Sequence, residues 1–352
     1  MKVAVTGANG FVGTNLVDLL RLDGHEVVAI DRVVPSGFES ASGVRGVVAD
    51  VLDPDAMRAA LAGVDVVYHL VAVITLAHRN ERAWQINTEG VRVVAQAALD
   101  AGVTRMVHCS SIHSFDQHTR CDHLDESSRR SDSPDLPVYD RSKYAGEQEL
   151  RAVIDRGLDA VICNPTAVFG PVDSVPMSRV NGILRDAARG RLPAFVRGGF
   201  DFVDVRDVAG GLVAAAASGR TGENYLLGGH YHQLADIARD TARLCGRRGP
   251  IVALPLSGLA ALMPVIEPIS AAFGSDLLTR ASLATVTASP RVDCSKAAAE
   301  LGYRPRPTAD TVRDLASHFV SAGHLARRRS PWSMPAALHL DTEIRATPLS
   351  AL

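Results

Sequence analysis

The octapeptide Thr6-Gly7-Ala8-Asn9-Gly10-Phe11-Val12-Gly13 follows the apolar run Lys2–Thr6 directly and opens into helix-length amphipathic sequence. This junction constrains the fold more than any other segment. A glycine after a strand can take the tight turn, a second lets a backbone come close to a pyrophosphate, and a third lets helix and sheet touch. Gly7, Gly10 and Gly13 fit these roles in a GxxGxxG spacing. The helix N-terminus then offers free N–H groups and the positive end of a dipole to an anion.

The same alternation repeats along the chain. Apolar runs at Lys2–Thr6, Glu26–Asp31, Gly46–Asp50, Val64–Leu70, Arg105–Ser110 and Leu158–Asn164 read as strands. Phe11–Leu22, Asp55–Leu61, Glu81–Ala101 and Tyr139–Arg156 read as the helices between them. Strands apolar almost throughout, separated by helices, predict an α/β fold with a parallel sheet covered on both faces. After Pro165 the rhythm breaks; Asp201–Val205 and Asn224–Leu227 are later strand candidates, and Asp207 is the predicted cap of a helix over Val208–Ala217. The expected division is a Rossmann-type, doubly wound dinucleotide-binding domain over 1–170 plus 201–228. A smaller, mostly helical C-terminal substrate lobe spans 171–200 plus 229–325, and 326–352 form a peripheral tail.

Asp31 closes the second strand, where a carboxylate accepts hydrogen bonds from ribose hydroxyls and repels a 2′-phosphate, so NAD is the expected cofactor. Arg32 beside it could instead partner a 2′-phosphate, which keeps NADP as the alternative. Asp50 and Val51 follow the third strand, as an adenine contact or, for Asp50, a strand-end cap.

Tyr139 and Lys143 in Tyr139-Asp140-Arg141-Ser142-Lys143 share one helix face at i, i+4. A free phenol holds its proton to a pKa near 10, and a nearby ammonium lowers that value, which makes Tyr139 a candidate general acid or base. Ser111 follows the fifth strand and could bond a substrate oxygen. His113 is either a substrate contact or a local structural group, while His69, His108, Cys109 and Cys163 sit in apolar strand patterns as expected core residues.

With TGANGFVG, ADVLD (49–53), YHLVAV (68–73), INTEGV (86–91), HCSSI (108–112), YDRSK (139–143), NPTAVFGP (164–171), FDFVDVRDVA (200–209) and GENYLLGG (222–229) in order, the chain resembles an extended short-chain dehydrogenase/reductase of the NAD-dependent epimerase/dehydratase superfamily. The resemblance covers about residues 2–322 and implies Ser111, Tyr139 and Lys143 as the catalytic group. It further implies cofactor contacts at Gly7, Gly10, Phe11, Val12, Asp31, Arg32, Asp50, Val51, Leu70, Val71 and Ala72, with Asn87 and Pro165 beside the reaction centre and nicotinamide. Sugar-nucleotide epimerases of the family carry an arginine where this chain has Phe200, and NPTAVFGP departs from their RPxxVYGP. Both departures resemble the dihydroflavonol-4-reductase-like and 3β-hydroxysteroid-dehydrogenase-like branch. That implies hydride transfer between a nicotinamide cofactor and a ketone or alcohol, with Lys143 also bonding the nicotinamide ribose. A nucleotide-sugar epimerase or dehydratase is the alternative, and a non-catalytic cofactor sensor a further one. Phe200, Phe115, Met177 and the 251–273 stretch would suit a fairly apolar substrate; Arg179, Arg185, Arg191 and Arg197 are either phosphate ligands or a solvated face. Dimerisation through Glu81–Ala101 and Tyr139–Arg156 is a family expectation.

Bulk properties exclude several other classes. A net charge of −2 argues against phosphate-driven nucleic-acid binding. Cys109, Cys121, Cys163, Cys245 and Cys294 are odd in number and scattered, with no zinc spacing, so neither a disulfide framework nor a metal site is expected and a reducing, cytoplasmic setting is. Lys2–Val5 is too short for a signal-peptide core. The 251–273 stretch is broken by Pro255, Pro264, Glu267 and Pro268, against the roughly 20 continuous apolar residues of a spanning helix, which leaves a pocket-lining element or a membrane-surface contact.

Overall fold

The computed structural model describes residues 1–34, 43–117, 123–173, 176–192, 194–247, 251–254 and 289–325. The 255–273 part of the apolar stretch and the tail from 326 lie outside them. Seven parallel strands form the main sheet: β1 (Lys2–Thr6), β2 (Glu26–Asp31), β3 (Val44–Val48), β4 (Val66–His69), β5 (Arg105–Cys109), β7 (Ala160–Pro165) and β11 (Asn224–Leu227). Their order is β11-β7-β5-β4-β1-β2-β3. The chain winds outward one way from β1 through β2 and β3, then restarts beside β1 with β4. The reversal opens a crevice at the carboxyl ends of β1 and β4, where open α/β sheets bind ligands.

Alternate residues of each central strand enter two cores. Val3 and Val5 of β1 join Leu16, Leu20, Tyr68 and Leu212 under helices α1 (Phe11–Leu22) and α7 (Val205–Ser218). Ala4 joins Ile30, Met57, Val94, Met106 and Leu150 under α2 (Pro54–Ala60), α4 (Glu89–Asp100) and α5 (Val138–Ile154). The doubly wound α/β class read from the alternation is therefore the observed one.

Four local expectations are corrected. Glu81–Ala101 is two helices, α3 (Glu81–Asn87) and α4, broken at Thr88, whose hydroxyl donates back to the Trp84 carbonyl at 2.8 Å and competes with the helical ladder. The third strand lies at Val44–Val48 rather than Gly46–Asp50, because Asp50 Oδ1 accepts the Leu52 N–H (3.0 Å) and turns the chain. It is also an edge strand with Val48 58% exposed, not one covered on both faces. The cap of α7 is Asp204, which accepts the Arg206 N–H at 2.8 Å. Asp207 lies inside the first turn and takes the Arg306 N–H and guanidinium.

The strand expected at 201–205 is β10 (Gly199–Asp204). It pairs with β8 (Ala167–Phe169) and β12 (His230–Gln233) in a separate three-stranded sheet. Around that sheet pack α6 (Arg179–Arg189), α8 (Leu234–Leu244) and the last described helix, Thr308–Ser321, through Phe169, Leu184, Phe202, Ile237, Leu315 and Phe319. Two short parallel pairs complete the strands: β6 (His123–Leu124) with β14 (Arg291–Val292), and β9 (Ala194–Val196) with β13 (Val252–Leu254). Among the described residues no helix is long and apolar enough to cross a membrane.

Candidate active site

The glycine loop sits at the crevice. Gly7 has φ +75°, a left-handed conformation that β-carbon sterics penalise, and a Cβ there would also crowd the Val71 amide nitrogen at 3.2 Å. A Cβ on Gly13 would fall on the Gly7 carbonyl oxygen, far inside van der Waals contact. The loop and the first turn of α1 are thus pressed together, and Gly10 accepts no more than a small neighbour against that carbonyl. Gly10 is the N-cap of α1; no side chain caps the helix and no acid lies in its first turn. The Phe11 and Val12 N–H groups therefore lack an intrahelical acceptor, as a pyrophosphate cradle requires.

Asp31 flanks this loop. Its Oδ2 accepts the Asn9 N–H (3.0 Å) and its Oδ1 the Arg32 N–H (2.7 Å), which aims the carboxylate and leaves a lone pair on each oxygen for ribose hydroxyls. Arg32 is exposed. Asp50 combines the capping role with an ion pair to Arg82 at 3.1 Å. Val51 is buried in the core, its side chain against Gly90. Leu70, Val71 and Ala72 are half-buried after β4, with Leu70 and Val71 against Gly7. The donors and the glycine cradle fit a dinucleotide.

On the other side of the switch point, Ser111 ends the segment after β5, and Tyr139 and Lys143 lie one turn apart on α5; all three are under 9% exposed. Ser111 Oγ accepts the His113 N–H at 3.2 Å, and its hydroxyl favours the ionised form of the nearby Tyr139 phenol. Burial raises the Tyr139 phenol above its ordinary value; the Ser111 hydroxyl draws it back, while Cys109 and Asp140 add to the rise. Here the structure departs from the expected ammonium-acidified phenol: Lys143 Nζ donates instead to the Cys109 carbonyl at 3.1 Å, and Ser111 is the group that favours ionisation. Burial also lowers the Lys143 ammonium.

His113 packs its ring 5.2 Å from that of Tyr139, and its Nδ1 lies 2.9 Å from Asp140 Oδ1. A carboxylate only accepts, so Nδ1 carries the proton of this bond. Asp140 inside YDRSK carries no sequence signal of its own; its nearness to His113 arises only when the 111–114 turn folds over α5.

Asn87 is brought beside the site as a clamp. Its Oδ1 accepts the Val73 N–H (2.8 Å), and its Nδ2 donates to the Val73 carbonyl (3.0 Å) and Ser142 Oγ (2.9 Å). It ties the cofactor-side loop to the catalytic helix. Gly146 permits this approach, since a Cβ there would collide with the Asn87 carbonyl. Pro165 is buried at the end of β7. Phe115 is corrected from pocket residue to core residue: it is fully buried with the Arg130 guanidinium 3.9 Å over its ring. Phe200 is half-buried, edge-on to Phe202 at 5.8 Å. Of the expected core histidines, His69 bonds Thr6 Oγ1 at 2.7 Å, but His69 Nε2 and His108 Nδ1 are buried without a partner.

The family model described as "NAD dependent epimerase/dehydratase family" matches residues 3–228, well over half of the chain. This chain belongs to the NAD-dependent epimerase/dehydratase family. Among the family's proteins it is 31% identical to "Sterol demethylase protein B" of Methylococcus capsulatus over 92% of this chain and 99% of that one. It is 24% identical to a "3 beta-hydroxysteroid dehydrogenase/Delta 5-->4-isomerase" of Mycobacterium tuberculosis over 91% and 90%. The crystal structure of gox2253 superposes with a TM-score of 0.78 at 34% identity, covering 92% and 99% of the two chains. The family is NAD-dependent, in agreement with the cofactor read from Asp31 and the glycine loop.

Proposed function

We propose that this family member is an NAD-dependent oxidoreductase that interconverts a secondary alcohol and a ketone on a largely apolar, sterol-like small molecule. The observation that carries the reading is the buried Ser111–Tyr139 pair across the switch point from an uncapped, glycine-cradled helix N-terminus. Gly7, Gly10 and Gly13 with the Phe11 and Val12 amides would hold the pyrophosphate, and Asp31 the adenosine ribose. Bound there, NAD supplies the hydride acceptor or donor. Ser111 orients the substrate oxygen. Tyr139 gives that oxygen a proton in reduction and takes it in oxidation. Lys143, which here donates to the Cys109 carbonyl, would hold the nicotinamide ribose. His113, its tautomer set by Asp140, turns Nε2 to the substrate beside Tyr139. The described parts of 171–200 and 229–325 are assigned to the substrate side.

A raised phenol is matched to the reductive direction, because it keeps its proton through neutral pH. Oxidation needs the ionised form, so it gains as pH rises.

The apolar class is supported by the relatives' names and by the arginines. Arg185 bonds Asp186 at 3.2 Å, Arg191 reaches the same carboxylate at 3.7 Å, and Arg189 donates to the His324 carbonyl at 2.7 Å. Arg185 and Arg191 are thus engaged within the lobe, where a nucleotide-sugar enzyme would want a free fork for diphosphate; Arg179 and Arg197 have no side-chain partner among the described residues, which keeps the nucleotide-sugar reading as the alternative the panel must test. The test is a panel of sterols, simple secondary alcohols and nucleotide sugars, each with NAD and with NADP. Net growth of the reduced-nicotinamide absorbance with NAD and a hydroxysterol is expected. Turnover of a nucleotide sugar with no net absorbance change would overturn the reading in favour of an epimerase.

A further inference from the structure

Behind the Ser111–Tyr139–Lys143 face lies a buried polar hub that the proposed reaction does not use. Glu147, one turn beyond Lys143 on α5, is fully buried. Its Oε1 accepts Ser110 Oγ (2.6 Å) and Asn164 Nδ2 (2.8 Å). Its Oε2 accepts Asn224 Nδ2 (3.0 Å) and the Arg130 guanidinium. Four donors fill the four acceptor positions of a carboxylate. Asn164 Nδ2 also faces the Ser111 carbonyl and Ser114 Oγ, both at 3.0 Å.

We propose that Glu147 is a positioning residue that fixes the Ser110–Ser111 strand end and supplies the buried negative charge one turn from Lys143. This inference rests on the reading that Ser111 and Lys143 serve the reaction. Two observations support it. The hub joins the ends of β5, β7 and β11 to the catalytic helix, so any shift of Glu147 is passed to the Ser111 backbone through Ser110 and Asn164. The second is the placing of Glu147 one turn after Lys143 on α5, with the two side chains bonded to the adjacent residues Ser110 and Cys109, together with the state of the other groups around them. On β4 and β5, His69 and His108 are held neutral by burial, His69 pushed down to about 3. The Cys109 thiol is pushed up to about 11, and the Tyr139 phenol is raised. Asp140 is engaged by His113, and the buried Glu147 carboxylate has Arg130 as its ion-pair partner. Burial lowers the Lys143 ammonium, and Cys109 and Glu147 oppose that fall. With Cys109 a thiol below about 11, Glu147 is the opposing group across the working pH range.

The test uses the full-length protein with two changes: Glu147→Gln alone, and Glu147→Gln with Arg130→Met. The double variant removes the guanidinium that the single change would strand in the interior. One readout is the pH profile of kcat for the substrate found in the panel. The other is the pH at which NADH binding, followed by its fluorescence, weakens; it needs no substrate. In both variants the alkaline midpoint is expected to fall by about one pH unit, because an ammonium without its counter-charge loses its proton earlier. A double variant that folds, binds NADH and keeps the parental midpoints would overturn the proposal and leave Glu147 as a partner of Arg130 alone. Tyr139→Phe separates the two levels. If it abolishes turnover while the Glu147 midpoints stand still, only this inference fails; if it leaves turnover intact, the reading of the site fails.

Discussion

Tyr139→Phe is expected to lower kcat by roughly 10²- to 10⁴-fold, the range for removing a general acid or base. The dissociation constant for NADH should stay where it was. Phenylalanine keeps the ring that packs against His113 and removes only the hydroxyl beside Ser111. Folding should be unaffected, since the lost hydroxyl leaves Ser111 Oγ the His113 N–H as a partner. Steady-state rates with parallel fluorescence titration of NADH separate the two quantities. A folded variant with parental kcat would remove Tyr139 from the chemistry.

Gly13→Ala should have a comparably large effect on binding instead. The added methyl would fall on the Gly7 carbonyl and crowd the Ala8 backbone at 3.0 Å, so the loop must move off α1. Overpacking of this kind costs about 1–3 kcal/mol. The same movement carries the Phe11 and Val12 amides away from the phosphates, and the dissociation constant for NAD should rise by roughly 100-fold, or about 2.8 kcal/mol. Gly182→Ala is the control. It lies on a helix with nothing within 4 Å of the new methyl, so it should leave NAD binding unchanged and raise stability by about 0.5–1 kcal/mol through helix propensity alone. Calorimetric titration of both variants decides the matter; unchanged affinity in a folded Gly13→Ala protein would mean that the phosphates bind elsewhere.

Both positions are legible in the sequence, for different reasons. β1, α1, β2 and β11 are bounded to the residue, because an apolar run punctuated by glycine or by a polar end is a local signal. The α/β class follows from the same periodicity. β3 lies two residues before its expected place because an edge strand need not be apolar on both faces, and Val48 and Arg45 carry no core pattern. The membership of β10 in the second sheet cannot be read locally, since its apolar run resembles any buried strand. Thr88 gives no obvious break, because its back-bond to Trp84 competes only once the helix has formed.

The site divides along the same line. Ser111, Tyr139 and Lys143 are recognised by spacing. Their supports are not. Asn87 is expected near the reaction centre, yet its bonds to Val73 and Ser142 depend on α3 meeting α5 at Gly146. Glu147 lies one turn after Lys143 on the face that carries Tyr139, so its i+4 spacing is the available signal, but its donors come from four distant segments. That Lys143 donates to the Cys109 carbonyl, and does not acidify Tyr139 in this structure, is something to which spacing is blind. Carbonyl acceptors such as that of Cys109 are present on every strand end, and only the folded geometry says which of them an ammonium takes.

The central claim is direct hydride exchange at a site served by Tyr139. The measurement closest to it starts from a substrate alcohol deuterated at its carbinol carbon, incubated with NAD, followed by mass analysis of the recovered cofactor. Deuterium in the reduced nicotinamide, in step with ketone formed and lost with Tyr139→Phe, is the result expected. Ketone formed without label in the cofactor, or label transferred equally by the Tyr139→Phe variant, would contradict it.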